Sequence, residues 1–164
     1  MNDKDLLYIQ VCSTVLRLDY ERGHLNWTFS DVSRASGVTR TLIYYYFGKE
    51  REIVLNEAYR FMAMYLFNTG GGQKSGSVKT RLKKVLATFE EMPFLFHIYY
   101  QKKSEKSEVG EMIRKSELAL LDYLHSLHPE LSKDHVLKLY LLELGAIAFK
   151  LTPHQVDKIF GNFT

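Results

Sequence analysis

A single cysteine, Cys12, stands among 164 residues. One thiol cannot staple a chain internally, which excludes a disulfide framework and suits a reducing compartment. Its plainest reading is a small buried apolar side chain. Only three prolines occur, and alternating apolar–polar runs of the kind a strand shows are scarce. No apolar run approaches the roughly 18 residues that a membrane-spanning helix needs. The opening MNDKD leads into an amphipathic segment, not into the apolar stretch of a signal peptide. A large excess of either charge is lacking too, with a formal net charge of +3. These absences set the expectation of a soluble, cytoplasmic protein with no membrane partner.

What is present is apolar and helical in rhythm. The apolar share is 46%, enough for a sizeable core. Leu6, Leu7, Ile9, Val11, Val15, Leu16 and Leu18 predict a first helix to about Asp19, with Gly23 as a C-cap. Ser30 is the expected N-cap of a short second helix whose inner face is Val32 and Ala35. Gly37 supplies a turn, and Thr39 caps a third helix running to about Phe47. Gly48 breaks it. A connecting helix over 49–67 follows, with Ile53, Val54, Ala58, Phe61, Met62, Tyr65 and Leu66 facing inward.

Residues 68–77 (NTGGGQKSGS) form the one low-complexity stretch, expected to be a flexible loop. It is no phosphate loop, because Gly does not directly precede Lys74 and no strand leads in. Beyond it, five helices are expected near 78–91, 94–103, 107–127, 133–150 and 153–161, with Thr152 and Pro153 starting the last. The predicted fold class is all-α. A three-helix head over 1–48 carries a helix-turn-helix, and a helical body occupies 49–164.

The head is where chemistry concentrates. Two short helices joined by Ser36-Gly37-Val38, the second rich in polar and phenolic groups, suit a helix laid in a DNA groove. The inner stripe is Val38, Leu42 or Ile43, and Phe47. Thr39, Arg40, Thr41, Tyr44 and Tyr45 then project outward. Arg40 is the best candidate base reader, since its planar fork matches a guanine edge. Thr28 and Ser30 at the start of the preceding helix, and Lys49 after Gly48, are candidate phosphate contacts. Residues 1–68 hold eight basic and eight acidic side chains, so binding must rest on local placement of Arg34, Arg40, Lys49 and Arg51.

The same segment resembles the DNA-binding head of the TetR family of transcriptional regulators. The resemblance lies in Thr28-Phe29-Ser30-Asp31-Val32, then Ala35-Ser36-Gly37-Val38-Thr39-Arg40-Thr41-Leu42-Ile43-Tyr44-Tyr45-Tyr46-Phe47. It covers about a third of the chain, roughly residues 5–60. It implies phosphate contacts for Tyr44 and Tyr46, groove-facing places for Arg40, Thr41 and Tyr45, and core places for Val38, Ile43 and Phe47. Two positions depart from the family pattern. Glu50 stands where a Lys is usual, one residue after Lys49, and Leu42 stands where a polar residue is common.

By the same resemblance the protein is a homodimer bound to a palindromic double-stranded DNA operator. Its commoner mode is repression, with release by a small-molecule effector in many members. The final two helices are the implied dimer surface, with candidates Leu137, Leu141, Leu144, Ala148 and Ile159. The aromatic-dense segment 94–100 is either plain core or, with Phe61, Tyr65, Phe89, Phe96 and Tyr99, the lining of a pocket.

Two other readings stay open. A DNA-bound adaptor acts through a protein partner without ligand control, consistent with a body short for the family. A helical metal-binding or enzymatic bundle without DNA binding is the other. His125, His128, His135 and Glu130 approach a metal-ligand spacing, but Pro129 interrupts them. No paired-carboxylate, nucleophile or zinc-protease pattern stands out, so no catalytic residue, metal or cofactor is expected.

Overall fold

Each turn between the first four helices is made by a residue that can do what its neighbours cannot. In a computed structural model, which describes residues 3–67 and 78–160, α1 (Asp3–Arg22) ends at Gly23 with φ of 89°. The Gly23 N–H bonds back to the Asp19 carbonyl at 3.0 Å. α2 (Phe29–Ser36) ends at Gly37, in the left-handed region with φ of 74°, where a side chain would strain the backbone. α3 (Arg40–Phe47) begins on Thr39 and ends on Gly48, and α4 (Arg51–Phe67) follows. All described secondary structure is helical, and the expected all-α class is what the chain adopts.

The start of α2 corrects one expectation. Its N-cap is Thr28, not Ser30. Thr28 Oγ1 accepts from the Asp31 N–H, and the Asp31 carboxylate accepts from the Thr28 N–H at 2.8 Å. This reciprocal box needs a carboxylate three residues after the cap, which Asp31 supplies to Thr28 and no residue supplies to Ser30. These bonds hold the half-buried Asp31 carboxyl down at about 2.

Inside this group α1 packs along α4, and Val32, Ile43 and Phe47 complete the core between them. Ile43 is fully buried while Leu42 is exposed, which decides the inner stripe of α3. Tyr8 stacks on Phe47 at 5.4 Å and meets Phe61 edge-on at 6.0 Å, and its hydroxyl bonds Glu57. Cys12 is buried beside them, and burial pushes its thiol well up. Ile53 and Tyr65 were expected inside but are exposed. α4 starts two residues later than expected, and Val54-Leu55 and Leu66-Phe67 take the inward places.

The remaining helices are α5 (Val78–Glu91), α6 (Phe94–Ser104), α7 (Glu108–Leu127), α8 (Lys133–Ala148) and α9 (Pro153–Ile159). Residues 68–77, expected as a flexible loop, lie outside the described residues. α7 packs on α4 and α6, and α5 lies against α8 and α9. The basic stretch of α5 is not a plain solvated face. Lys79 and Lys83 reach Asp157 of α9 at 3.1 and 2.8 Å, and Arg81 is buried in an ion pair with Glu143 of α8. His128 pairs with Glu130, and His135 meets the cap residue Ser132, so these histidines serve helix ends.

The α6–α7 corner is built on close approach. Arg114 donates to the Lys103 and Glu105 carbonyls at 2.6 and 3.1 Å, closing the end of α6. A Cβ on Gly110 would stand 2.3 Å from the Glu105 carbonyl oxygen and 2.7 Å from that of Lys102. Neither backbone atom can yield cheaply. Gly110→Ala should therefore destabilise the fold by about 1–3 kcal/mol, read as a lowered urea midpoint.

Nearby, Glu117 accepts from Lys103 and Tyr99 at 2.6 Å and from Tyr140 at 2.8 Å. Burial raises the Glu117 carboxyl, but these three donors outweigh it and hold it below the usual range. Its folded value then lies below the unfolded one of about 4.3. The stability this gives is complete above that unfolded value and is lost as pH falls through the lowered folded one. Glu117→Gln should cost about 1–3 kcal/mol at pH 7 and flatten the acid limb of stability against pH between 5 and 3, measured by denaturant titration.

Candidate nucleic-acid interface

On α3 the helical wheel separates two faces. Ile43 and Phe47 point into the core, and Thr41, Leu42, Tyr45 and Tyr46 form the exposed side. Tyr45 is 79% exposed and touches the Tyr46 ring edge-on at 4.9 Å. Three successive helical residues span about 200° of the wheel, so the tyrosines must divide their roles. Tyr44 is the half-buried one, packed edge-on against Phe29 of α2 at 5.0 Å. That contact sets the angle between the two short helices.

The polar candidates divide in the same way. Arg40 stands at the N-terminal edge of α3 and its guanidinium donates to Ser30 Oγ at 3.4 Å, bringing these two predicted residues together. Thr41 is exposed beside it. Thr28 and Thr39 spend their hydroxyls on the caps of α2 and α3. Lys49 Nζ lies 5.9 Å from the Tyr44 ring centre, so this cation flanks α3 although Glu50 holds the next place. Arg51 is different from its expectation. It donates to the carbonyls of Leu25 and Trp27 at 2.6 and 3.0 Å and works as a strut rather than a phosphate contact.

Lys4 was not singled out from the sequence, yet its Nζ stands 5.7 Å from the Tyr46 ring centre. The only signal available was a cation in the opening MNDKD, indistinguishable there from a solvated one. With Lys4, the exposed face of α3 has a cation at one flank, Lys49 at the other and Arg40 at its leading edge. α3 itself carries no acidic residue.

The pocket and dimer candidates also fall unevenly. Phe89, Phe96 and Tyr99 border a pocket between α5, α6 and α8, but Phe61 and Tyr65 do not. Those two rings pack 5.3 Å apart, and Phe61 belongs to the core under α1. Leu137, Leu141, Ala148 and Ile159 are exposed and Leu144 is half-buried. Among the described residues no three metal-ligating side chains come together, and no described helix is long and apolar enough to cross a membrane.

No protein-family model matches the chain, and no curated protein matches it either. Among solved structures the chain is similar to one described as a TetR-family transcriptional regulator from Rhodococcus sp. The two are 13% identical, 95% of each chain is covered, and the TM-score is 0.48. The similarity is distant, and nothing about function rests on it.

Proposed function

We propose that this chain is a sequence-specific DNA-binding transcriptional regulator of TetR type, working as a homodimer on a palindromic operator. The observation that carries the reading is the exposed Thr41–Tyr45 face of α3. It has no acidic residue, is led by Arg40, and is held from behind by Ile43, Phe47 and the Tyr44–Phe29 contact. A head of residues 1–48 docks on DNA and a body of residues 49–164 pairs two copies. Arg40 and Thr41 at the leading end of α3 read base edges, and Tyr45 lies along the groove. Lys49, Lys4, Tyr46 and Ser30 hold phosphates on either side. Bound across a promoter, such a dimer represses by occupying the site.

Arg40→Ala should relax preference at one base pair by about 1–3 kcal/mol. Lys49→Ala should weaken binding to all sequences alike and reduce the salt slope by about one. Both are read by competition binding on a sequence recovered from random DNA. If the wild-type protein recovers no sequence, or binds without salt sensitivity, the DNA reading is wrong.

The second copy is supported by the outer face of α8. Leu137 and Leu141 lie on one stripe with Leu144 and Ala148, Ile159 follows on α9, and Phe149 is 84% exposed just beyond α8. An apolar stripe of this length on a surface calls for a partner. A twofold interface meets itself, so one substitution strikes it twice. Leu141→Glu should shift the protein to a monomer by analytical ultracentrifugation and cut operator affinity by about tenfold or more, while thermal unfolding stays cooperative. A wild-type protein that sediments as a monomer at micromolar concentration removes this part of the reading.

A further inference from the structure

The pocket between α5, α6 and α8 has an unusual wall. It spans about 410 Å³, counting the part open to solvent. Leu82, Leu144 and Ile147 make it apolar, and Phe89 and Phe96 meet edge-to-face at 5.6 Å on one side. Two charged side chains interrupt this lining. Arg81 and Glu143 border the pocket as an ion pair and are only 6% and 1% exposed. Arg81 Nη2 is spent on Glu143 Oε2, and among the described residues Arg81 Nε and Glu143 Oε1 have no hydrogen-bond partner. Buried donors and acceptors are nearly always satisfied, so a pair left short of hydrogen bonds inside a pocket needs an explanation.

Charge balance limits what could satisfy it. The Arg81 and Glu143 charges cancel. Behind Tyr99 and Tyr140, which also border the pocket, Lys103 and Glu117 cancel in turn. A carboxylate entering here meets Glu143, and an ammonium meets Arg81. Either brings an uncompensated charge into an apolar site. A neutral group with an acceptor next to a donor meets neither obstacle. Its acceptor faces the guanidinium and its donor the carboxylate. The facing phenylalanines favour a flat ring as the remainder.

We propose that this pocket binds a small uncharged aromatic compound carrying an adjacent hydrogen-bond acceptor and donor, a carboxamide in its simplest form. As the effector of a regulator it rests on the reading above, but binding itself is measured on the free protein. If DNA binding fails while this binding holds, only the regulator reading is lost.

The test uses three probes that share one ring system: 2-naphthamide, 2-naphthoate and 2-naphthylmethylamine, the last protonated at pH 7. Calorimetry on the full chain should show the amide bound at least about tenfold more tightly than either charged probe. Glu143→Gln leaves the pocket with a net positive charge and should make naphthoate the preferred probe. The paired substitution Arg81→Met with Glu143→Leu exchanges a buried ion pair for apolar residues of similar volume, a change that folds tolerate. It should keep ring binding and lose the amide preference. Equal binding of the three probes by the wild-type protein, or no binding of any, overturns the proposal.

Discussion

Asp19 is the point on which the α2–α3 end of the molecule is hung. Its carboxylate accepts from the Leu25 N–H at 2.8 Å, from the Trp27 indole N–H at 3.0 Å and from the Tyr59 hydroxyl at 3.3 Å. The imidazole of His24 stands 3.7 Å away. One side chain of α1 thereby holds both the connector into α2 and the middle of α4. The connector needs that hold, because Leu25 sits in the left-handed region at φ of 55° and Trp27 must be buried whole. Arg51 closes the arrangement from the other side through the Leu25 and Trp27 carbonyls. Where Trp27 is fixed, Thr28 starts α2. Phe29 then meets both Trp27 and Tyr44 edge-on, and the angle of α3 follows.

The same point links the two ends of the molecule. α6 lends Phe96 and Tyr99 to the pocket wall. Its other side lays Phe94 and His97 against Tyr20 of α1 at 6.3 and 5.7 Å, and Lys102 sits 5.4 Å from the Tyr59 ring. Tyr20 is the neighbour of Asp19 in the chain, and Tyr59 is its hydrogen-bond donor. A shift of α6 by an occupied pocket would bear on both at once. Physical continuity of this sort is a route for coupling, and coupling itself requires two arrangements of unequal affinity for the ligand.

Local rules were legible in the sequence and long-range pairings were not. Gly37, Thr39 and Gly48 act within one turn of themselves, and the limits of α3 followed from them. Thr152 and Pro153 likewise set the start of α9, where Gln155 completes a capping box. The α2 cap misled because Thr28 and Ser30 are both good caps, and only the partner at Asp31 separates them. Arg51 reads as a cation beside a DNA-binding helix until the connector folds back under it. Arg81 and Glu143 are far apart in the chain, each surrounded by ordinary helical residues. Nothing local marks either as buried. Phe61 and Tyr65 show the converse error, since aromatic density fits a core as well as a cavity.

Three of the eight acids in the first 68 residues are spent inside the fold. Asp19 is consumed by the connector, Asp31 by the α2 cap with Arg22 at 3.1 Å, and Glu57 by Tyr8 and Arg60. Each of these carboxylates is tied to a structural donor. Lys4 and Lys49, beside the tyrosine rings, and Arg40, beside Ser30, border α3. Net charge sums over both groups and hides the difference. A charged group placed at α3 meets the local field there, in which near, solvent-facing charges count for more than distant, paired ones.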